Sequence, residues 1–122
     1  MPTPYDPQNI FARILRGEIP NKTVLETEHS LAFHDIAPQA PVHVLVIPKG
    51  PYTSFDHFVE QAAPAEIIDF NRAIAQVIAD LGLADMGYRI ISNAGAYGHQ
   101  EVPHLHMHVL GGAPLGPMLQ RS

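Results

Sequence analysis

The stretch His104–Leu110 reads H-L-H-M-H-V-L. Three histidines alternate with apolar residues, and an apolar pair closes the run. On a β-strand, side chains two apart share a face and lie about 6.6 Å apart along it. Read as a strand, the segment turns His104, His106 and His108 one way and Leu105, Met107 and Val109 the other. The apolar set belongs in a core, and the imidazoles form a polar row behind it. Alternation alone leaves three readings open. In the first, the row is a solvated sheet face. In the second it is a metal site, because paired imidazoles on a strand suit zinc. In the third, one imidazole attacks phosphorus, its other ring nitrogen fixed by a hydrogen bond and its neighbours bonding phosphate oxygens.

Working outward, Val42–Pro48 (V-H-V-L-V-I-P) is β-branched and reads as a strand. Thr23–Thr27 and Ser30–Asp35 read as a hairpin turning at Glu28-His29. The prolines of A-P-Q-A-P, Ala37–Pro41, make that segment a loop. Tyr88–Ser92 is a further strand. The loop N-A-G-A-Y-G-H-Q, Asn93–Gln100, leads to a final strand over Val102–Leu110, and its backbone N–H groups could serve a phosphate. Asp6-Pro7 reads as an N-cap followed by a first-turn proline, opening a helix over 7–16 that stops at Gly17. Pro64 opens a longer helix with Ile67, Phe70, Ile74, Val77, Ile78 and Leu81 near one face, Asn71 as the polar exception, and Gly82 at its end. Lys49–Asp56 reads as a loop, and His29 and His57 as surface residues. The expected fold is α+β: a mainly antiparallel five-stranded sheet with one short N-terminal helix and one longer helix.

A length of 122 residues suits a single domain over 1–122, with a core over about 9–112 and an extended tail over 113–122. The net charge of −5 and the lack of any basic run argue against nucleic-acid binding. The absence of cysteine excludes disulfides and thiolate chemistry and suits a reducing compartment. The start, M-P-T-P-Y-D, lacks the layout of a signal peptide, and no apolar run nears the roughly 20 residues that span a bilayer. A soluble cytoplasmic protein with no membrane partner is expected.

The H-L-H-M-H-V-L stretch resembles the signature of the histidine triad family. Phe33–Lys49 (F-H-D-I-A-P-Q-A-P-V-H-V-L-V-I-P-K), I-F-A-R-I-L-R-G-E-I-P near the start and G-Y-R-I-I-S-N-A-G in the middle resemble other blocks of the same family. Together they cover most of 9–112 and look like the histidine triad nucleotide-binding branch of bacterial type. The resemblance implies a HIT-like fold, a homodimer, and no cofactor or metal. It implies hydrolysis of purine nucleoside 5′-phosphoramidates, with AMP or GMP and their phosphoramidates as ligands. In that scheme His106 is the nucleophile that becomes adenylylated, His104 and His108 orient it and contact phosphate, and His43 is a fourth site histidine. Asp35 binds the ribose hydroxyls. Ile10, Phe11, Phe33, His34 and Ile36 line the base and sugar pocket. Asn93 and His99–Gln100–Glu101–Val102 contact the phosphate or the leaving group.

Each residue also has a plainer role. Ile10, Phe11, Phe33 and Ile36 suit a core, Asp35 a turn cap, Asn93 an Asx-turn, and His34 and His43 satisfied polar positions. The chain departs from the family pattern at His99, where glycine is common, and at Glu101, where serine is common. A carboxylate there repels a phosphate unless it points away. A purine nucleotide-binding module with incidental hydrolysis and a metal-binding histidine site stand beside the enzymatic reading.

Overall fold

The computed structural model describes residues 4–119, so the ends of the chain, including the last part of the expected tail, lie outside the described residues. Strand β3, Val42–Pro48, has the bounds expected from its β-branched run and lies at the centre of the sheet. It is flanked by β2 (Ser30–His34) and by β5 (Met107–Gly111). Beyond β2 lies β1 (Thr23–Glu26), and beyond β5 lies β4 (Arg89–Ile91). The order is β1-β2-β3-β5-β4, and every pairing is antiparallel.

Alternation along β3 sets up two cores. Val44 and Val46 face one side and join Phe58, Phe70, Val77, Leu105 and Val109 in a fully apolar cluster. Leu45 and Ile47 face the other side and join Leu31, Phe33, Phe11 and Ile14. Each large apolar side chain taken from water contributes about 1.5–3 kcal/mol before entropy is counted.

The long helix covers the first face. It runs from Pro64 to Asp80, and its buried stripe is Phe70, Ala73, Ile74, Val77 and Ile78. Asn71 does lie off that stripe, exposed, its side-chain amide donating to the Ile67 carbonyl. The helix starts with Pro64 in the first turn, where a missing N–H costs nothing, and the Glu66 carboxylate accepts from the Ala63 N–H. It ends in a Schellman turn. Gly82 takes φ +68°, its N–H reaches the Ala79 carbonyl, and the Leu83 N–H reaches the Ile78 carbonyl while its side chain is buried. Asp69 ties the helix to the β1–β2 hairpin by accepting from the Thr27 and Ser30 hydroxyls, at 2.6 and 2.8 Å.

The N-terminal helix α1, Ile10–Leu15, is shorter than the expected span, because the cap is Asn9 rather than Asp6. The Asn9 side-chain oxygen accepts from the Ala12 N–H at 2.9 Å, and its amide nitrogen donates to the Asp6 carbonyl at 2.7 Å. Gly17 is the stop, at φ +79°, with the Glu18 N–H closing on the Arg13 carbonyl.

Two expectations are corrected. A third helix, α2 (Phe55–Gln61), stands where the loop over Lys49–Asp56 was expected to run on, which makes the long helix α3. It carries one fully buried side chain, Phe58, packed edge-on to Phe70 at 5.1 Å. His57 accordingly is no surface residue: it is half-buried, and its Nδ1 accepts from the Thr53 N–H at 3.0 Å. The last strand also begins five residues later than expected, at Met107. Proline explains the delay. The ladder with β3 runs out where Pro48 lacks an N–H, and Pro103 lacks one on the other side. His104 and Leu105 are instead held by single bonds, from the His104 N–H to the Val102 carbonyl and from the Leu105 N–H to the Tyr52 carbonyl.

Candidate active site

The histidines occupy the sheet face under α1. Register explains how two of them meet. His43 lies opposite Leu110 and His108 opposite Leu45, so the two imidazoles are diagonal neighbours on one face. His43 Nε2 stands 2.9 Å from His108 Nδ1. Above them Phe11 of α1 is edge-on to Phe33, to His106 at 4.9 Å between ring centres, and to His104 at 6.3 Å.

The three histidines of the run are not equivalent. His104 is completely buried, and both its ring nitrogens are engaged: Nε2 with the Pro48 carbonyl at 2.9 Å and Nδ1 with the Tyr5 hydroxyl at 2.7 Å. No nitrogen remains for a phosphate, so His104 acts here as a support. His106 is also buried, and its Nδ1 lies 2.7 Å from the His104 carbonyl. His108 is half-buried and is joined to His43.

Partners fix every proton. Burial pushes the His104 imidazole down to about 4 and outweighs the bond to Pro48. Burial likewise lowers His106, against the His104 carbonyl and the charges of Asp35 and Glu101. His108 is brought to about 4 by burial and by the neighbouring His106 and His43. Burial lowers His43 too, opposed by Asp35. All four imidazoles are therefore neutral near pH 7, each with one N–H. A carbonyl can only accept, so His104 carries its proton on Nε2 and His106 on Nδ1. His106 Nε2 is left with a lone pair. The Gln39 backbone N–H donates to His43 Nδ1 at 3.0 Å, which places the His43 proton on Nε2. That proton points to His108 Nδ1, so His108 carries its own on Nε2. The result is a ring nitrogen with a free lone pair at His106 beside a relay that ends in an N–H donor at His108.

Asp35 completes the group. One carboxylate oxygen accepts from the Ala37 N–H at 2.7 Å and caps the loop, and the other is 3.4 Å from His43 Nε2. Asp35, His43 and His108 hold potential ligand atoms within 4.8 Å of one another. Those atoms are already turned on each other by the hydrogen bonds just described, and the cluster leaves out His104 and His106.

Other residues singled out in the sequence are more dispersed. Phe11 and Phe33 are buried in the α1 cluster, whereas Ile10 is 41% exposed, Ile36 is 96% exposed and His34 is exposed. Asn93 is half-buried just after β4. Gln100 braces its loop from within: its amide nitrogen donates to the Thr53 and Val102 carbonyls, and its oxygen accepts from the Gly95 N–H. Val102 packs against the α1 cluster. His99 takes φ +58°, the left-handed region where glycine is at ease, and its Nε2 lies 3.3 Å from the Glu101 carboxylate. A glycine would hold that conformation without the side-chain cost.

Some contributors carry no signal in the sequence. Tyr5 bonds His104 across 99 positions, and Gln39 acts through its backbone alone. Ser92 donates to the His106 carbonyl at 3.3 Å and could have been suspected only from its place at a strand end.

Known proteins share this fold. The HIT domain family profile matches residues 16–115. An uncharacterised 13.2 kDa HIT-like protein of Azospirillum brasilense is 60% identical over 97% of both chains. A purine nucleoside phosphoramidase of Escherichia coli is 44% identical over 92% of this chain and 93% of its own. The crystal structure of a HIT family hydrolase from Legionella pneumophila is similar with a TM-score of 0.80 at 37% identity, over 88% of this chain and 95% of that one.

Proposed function

The chain belongs to the HIT family, and on that premise we propose that it hydrolyses purine nucleoside 5′-phosphoramidates through a nucleotidyl-histidine. The observation that carries the reading is the unprotonated Nε2 of His106, held by the Nδ1–H bond to the His104 carbonyl. That lone pair attacks the α-phosphorus of an adenosine or guanosine phosphoramidate. A nitrogen–phosphorus bond forms to His106, the bond to the amine breaks, and the amine leaves with a proton. Water then cleaves the histidine–phosphorus bond and releases NMP. Two easier steps replace one difficult displacement.

The surroundings suit the charges involved. The attacking imidazole becomes positive, and the His104 carbonyl and the carboxylates of Asp35 and Glu101 all favour that charge. His108 Nε2–H, set by the relay from Gln39 through His43, is the donor for a phosphate oxygen. Asp35 retains acceptor capacity for ribose hydroxyls, since a carboxylate has about four acceptor positions. The name of the 44% identical relative supports the same substrate class. The experiment is to incubate protein with a purine nucleoside phosphoramidate, quench in base, and map the added nucleotide by mass spectrometry. Nucleotide on His106 is expected. Steady turnover with no nucleotide on any histidine would sink the covalent mechanism.

The Asp35–His43–His108 cluster favours one second reading, a metal site. A stoichiometric metal in untagged protein, with activity lost in EDTA, would select it.

The homodimer implied by the resemblance has a physical basis at β4. This strand ends the sheet, is three residues long, and has Met86, Tyr88 and Ile90 exposed on or beside it. An unpaired strand edge with exposed apolar side chains is a template for a second copy. Light scattering at micromolar concentration should give twice the chain mass of 13.4 kDa.

A further inference from the structure

We propose that Tyr5 is a positioning residue of the histidine site, acting through His104 on His106. The inference rests on the catalytic reading above for its kinetic consequence and on geometry for the rest. The Tyr5 hydroxyl is 2.7 Å from His104 Nδ1, and the two rings meet edge to face at 5.6 Å and 64°. His104 has no exposure, and its Nε2–H is committed to the Pro48 carbonyl. Nδ1 must therefore accept, and the tyrosine O–H is the donor that reaches it. The same residue's carbonyl holds the Nδ1–H of His106 at 2.7 Å. A chain of bonds thus runs from the tyrosine, through the ring of His104 and its backbone, to the nitrogen opposite the attacking lone pair.

Tyr5 is brought there by the start of α1. The Asp6 carbonyl accepts from the Asn9 N–H and from the Asn9 side chain, and the Asp6 carboxylate accepts from the Gln8 N–H. This small knot fixes the segment just after Tyr5. Phe11, the second residue of the helix, then packs on the rings of both His104 and His106. The arm and the helix together close the triad from the side away from the sheet. Tyr5 lies before the residues that the HIT domain profile matches, 16–115.

Removing the hydroxyl leaves a buried imidazole nitrogen without a donor. The ring then relieves itself by rotating off Pro48 or by taking up a proton, and either change disturbs the carbonyl that orients His106. One neutral hydrogen bond corresponds to about a 3- to 10-fold change in an equilibrium or rate.

The test uses the full chain with Tyr5→Phe, which keeps the ring and its edge contact. Turnover of an aminoalkyl AMP phosphoramidate should fall about 3- to 10-fold in kcat with KM within about twofold. Nitrogen-15 spectra of the imidazoles should show His104 Nδ1 losing its hydrogen bond and the His106 Nδ1–H signal moving with it. A purely structural tyrosine would lower Tm and leave kcat at 25 °C and the His106 signal unchanged, and that pair of results overturns the proposal. So does a change confined to His104. If wild-type protein shows no turnover at all, the phosphoramidase reading fails, and the movement or stillness of the His106 signal in Tyr5→Phe still decides the tether.

Discussion

The two faces of this sheet are built from the same strands and do opposite things. The face under α3 has an apolar core, with Val44, Val46, Phe58, Phe70, Val77, Leu105 and Val109 buried together. The face under α1 has a smaller apolar cluster, and beside it His43, His104 and His106 are buried as well. Strands β3 and β5 alternate between the two, so each residue that anchors the first face sets the position of its neighbour on the second. The difference teaches that burying imidazoles is tolerable here because the stabilising face lies directly behind them. Among the described residues no buried side-chain nitrogen or oxygen is left without a partner, which is the condition for such a polar cluster to hold its shape.

The sharpest way to separate the faces is His106→Gly. We expect kcat to fall about 10³-fold or more with the far-UV spectrum and Tm little changed, because the substitution removes the nucleophile and leaves the α3 core intact. A variant within a few-fold of wild type would erase the functional distinction between the faces. The complementary change is Phe70→Ala. It should cost about 3–5 kcal/mol in urea unfolding while the protein that remains folded keeps its kcat. Equal loss of kcat per folded molecule would mean that the faces are coupled beyond simple support.

Acidification strikes the histidine face through His104. His104 is neutral in the folded chain down to about pH 4 but takes a proton near pH 6.5 when unfolded. Between those values the unfolded state binds more protons, so stability rises with pH. The contribution is complete above pH 6.5 and disappears as the pH falls to about 4, on the order of 3 kcal/mol for this residue. Urea midpoints at several pH values should show this slope, and His104→Asn should reduce it, leaving the share of His43, His106 and His108. A slope that survives His104→Asn undiminished would assign it to other groups. The smallest effect is expected at the mouth of the site. His99→Gly relieves a left-handed residue at φ +58° and should stabilise the chain by about 1 kcal/mol, read as a modest rise in Tm. No rise would mean that the contact between His99 and Glu101 offsets the backbone cost.

Much of this architecture was legible because it depends on alternation and punctuation. The V-H-V-L-V-I-P run predicts β3 to the residue, and the i, i+3, i+4 spacing after Pro64 predicts the long helix and its stop at Gly82. Leu105, Met107 and Val109 do turn to the α3 core, although the strand itself begins only at Met107. Helix α2 was hidden because seven residues with one fully buried phenylalanine give too little periodicity to stand out from a loop. The broken strand was hidden because the ladder between β3 and β5 ends at the pair Val46 and Met107, a register that only the fold reveals. Within the site, the spacing of the histidines indicated which of them share a face. It could not indicate that His104 is sealed and its nitrogens spent, since the groups that spend them are a carbonyl at Pro48 and a hydroxyl at Tyr5.

The bond from the Gln39 backbone to His43 has a consequence for how such a site varies over time. The side chain of Gln39 is exposed and plays no part in it. Any residue with an N–H can fill the position and keep the relay pointing the same way, while proline, which already stands at positions 38 and 41 of the same loop, would remove the donor that sets its direction. A requirement of that kind is invisible to a tally of side chains. Position 39 would look unconstrained in every comparison except for a single forbidden letter.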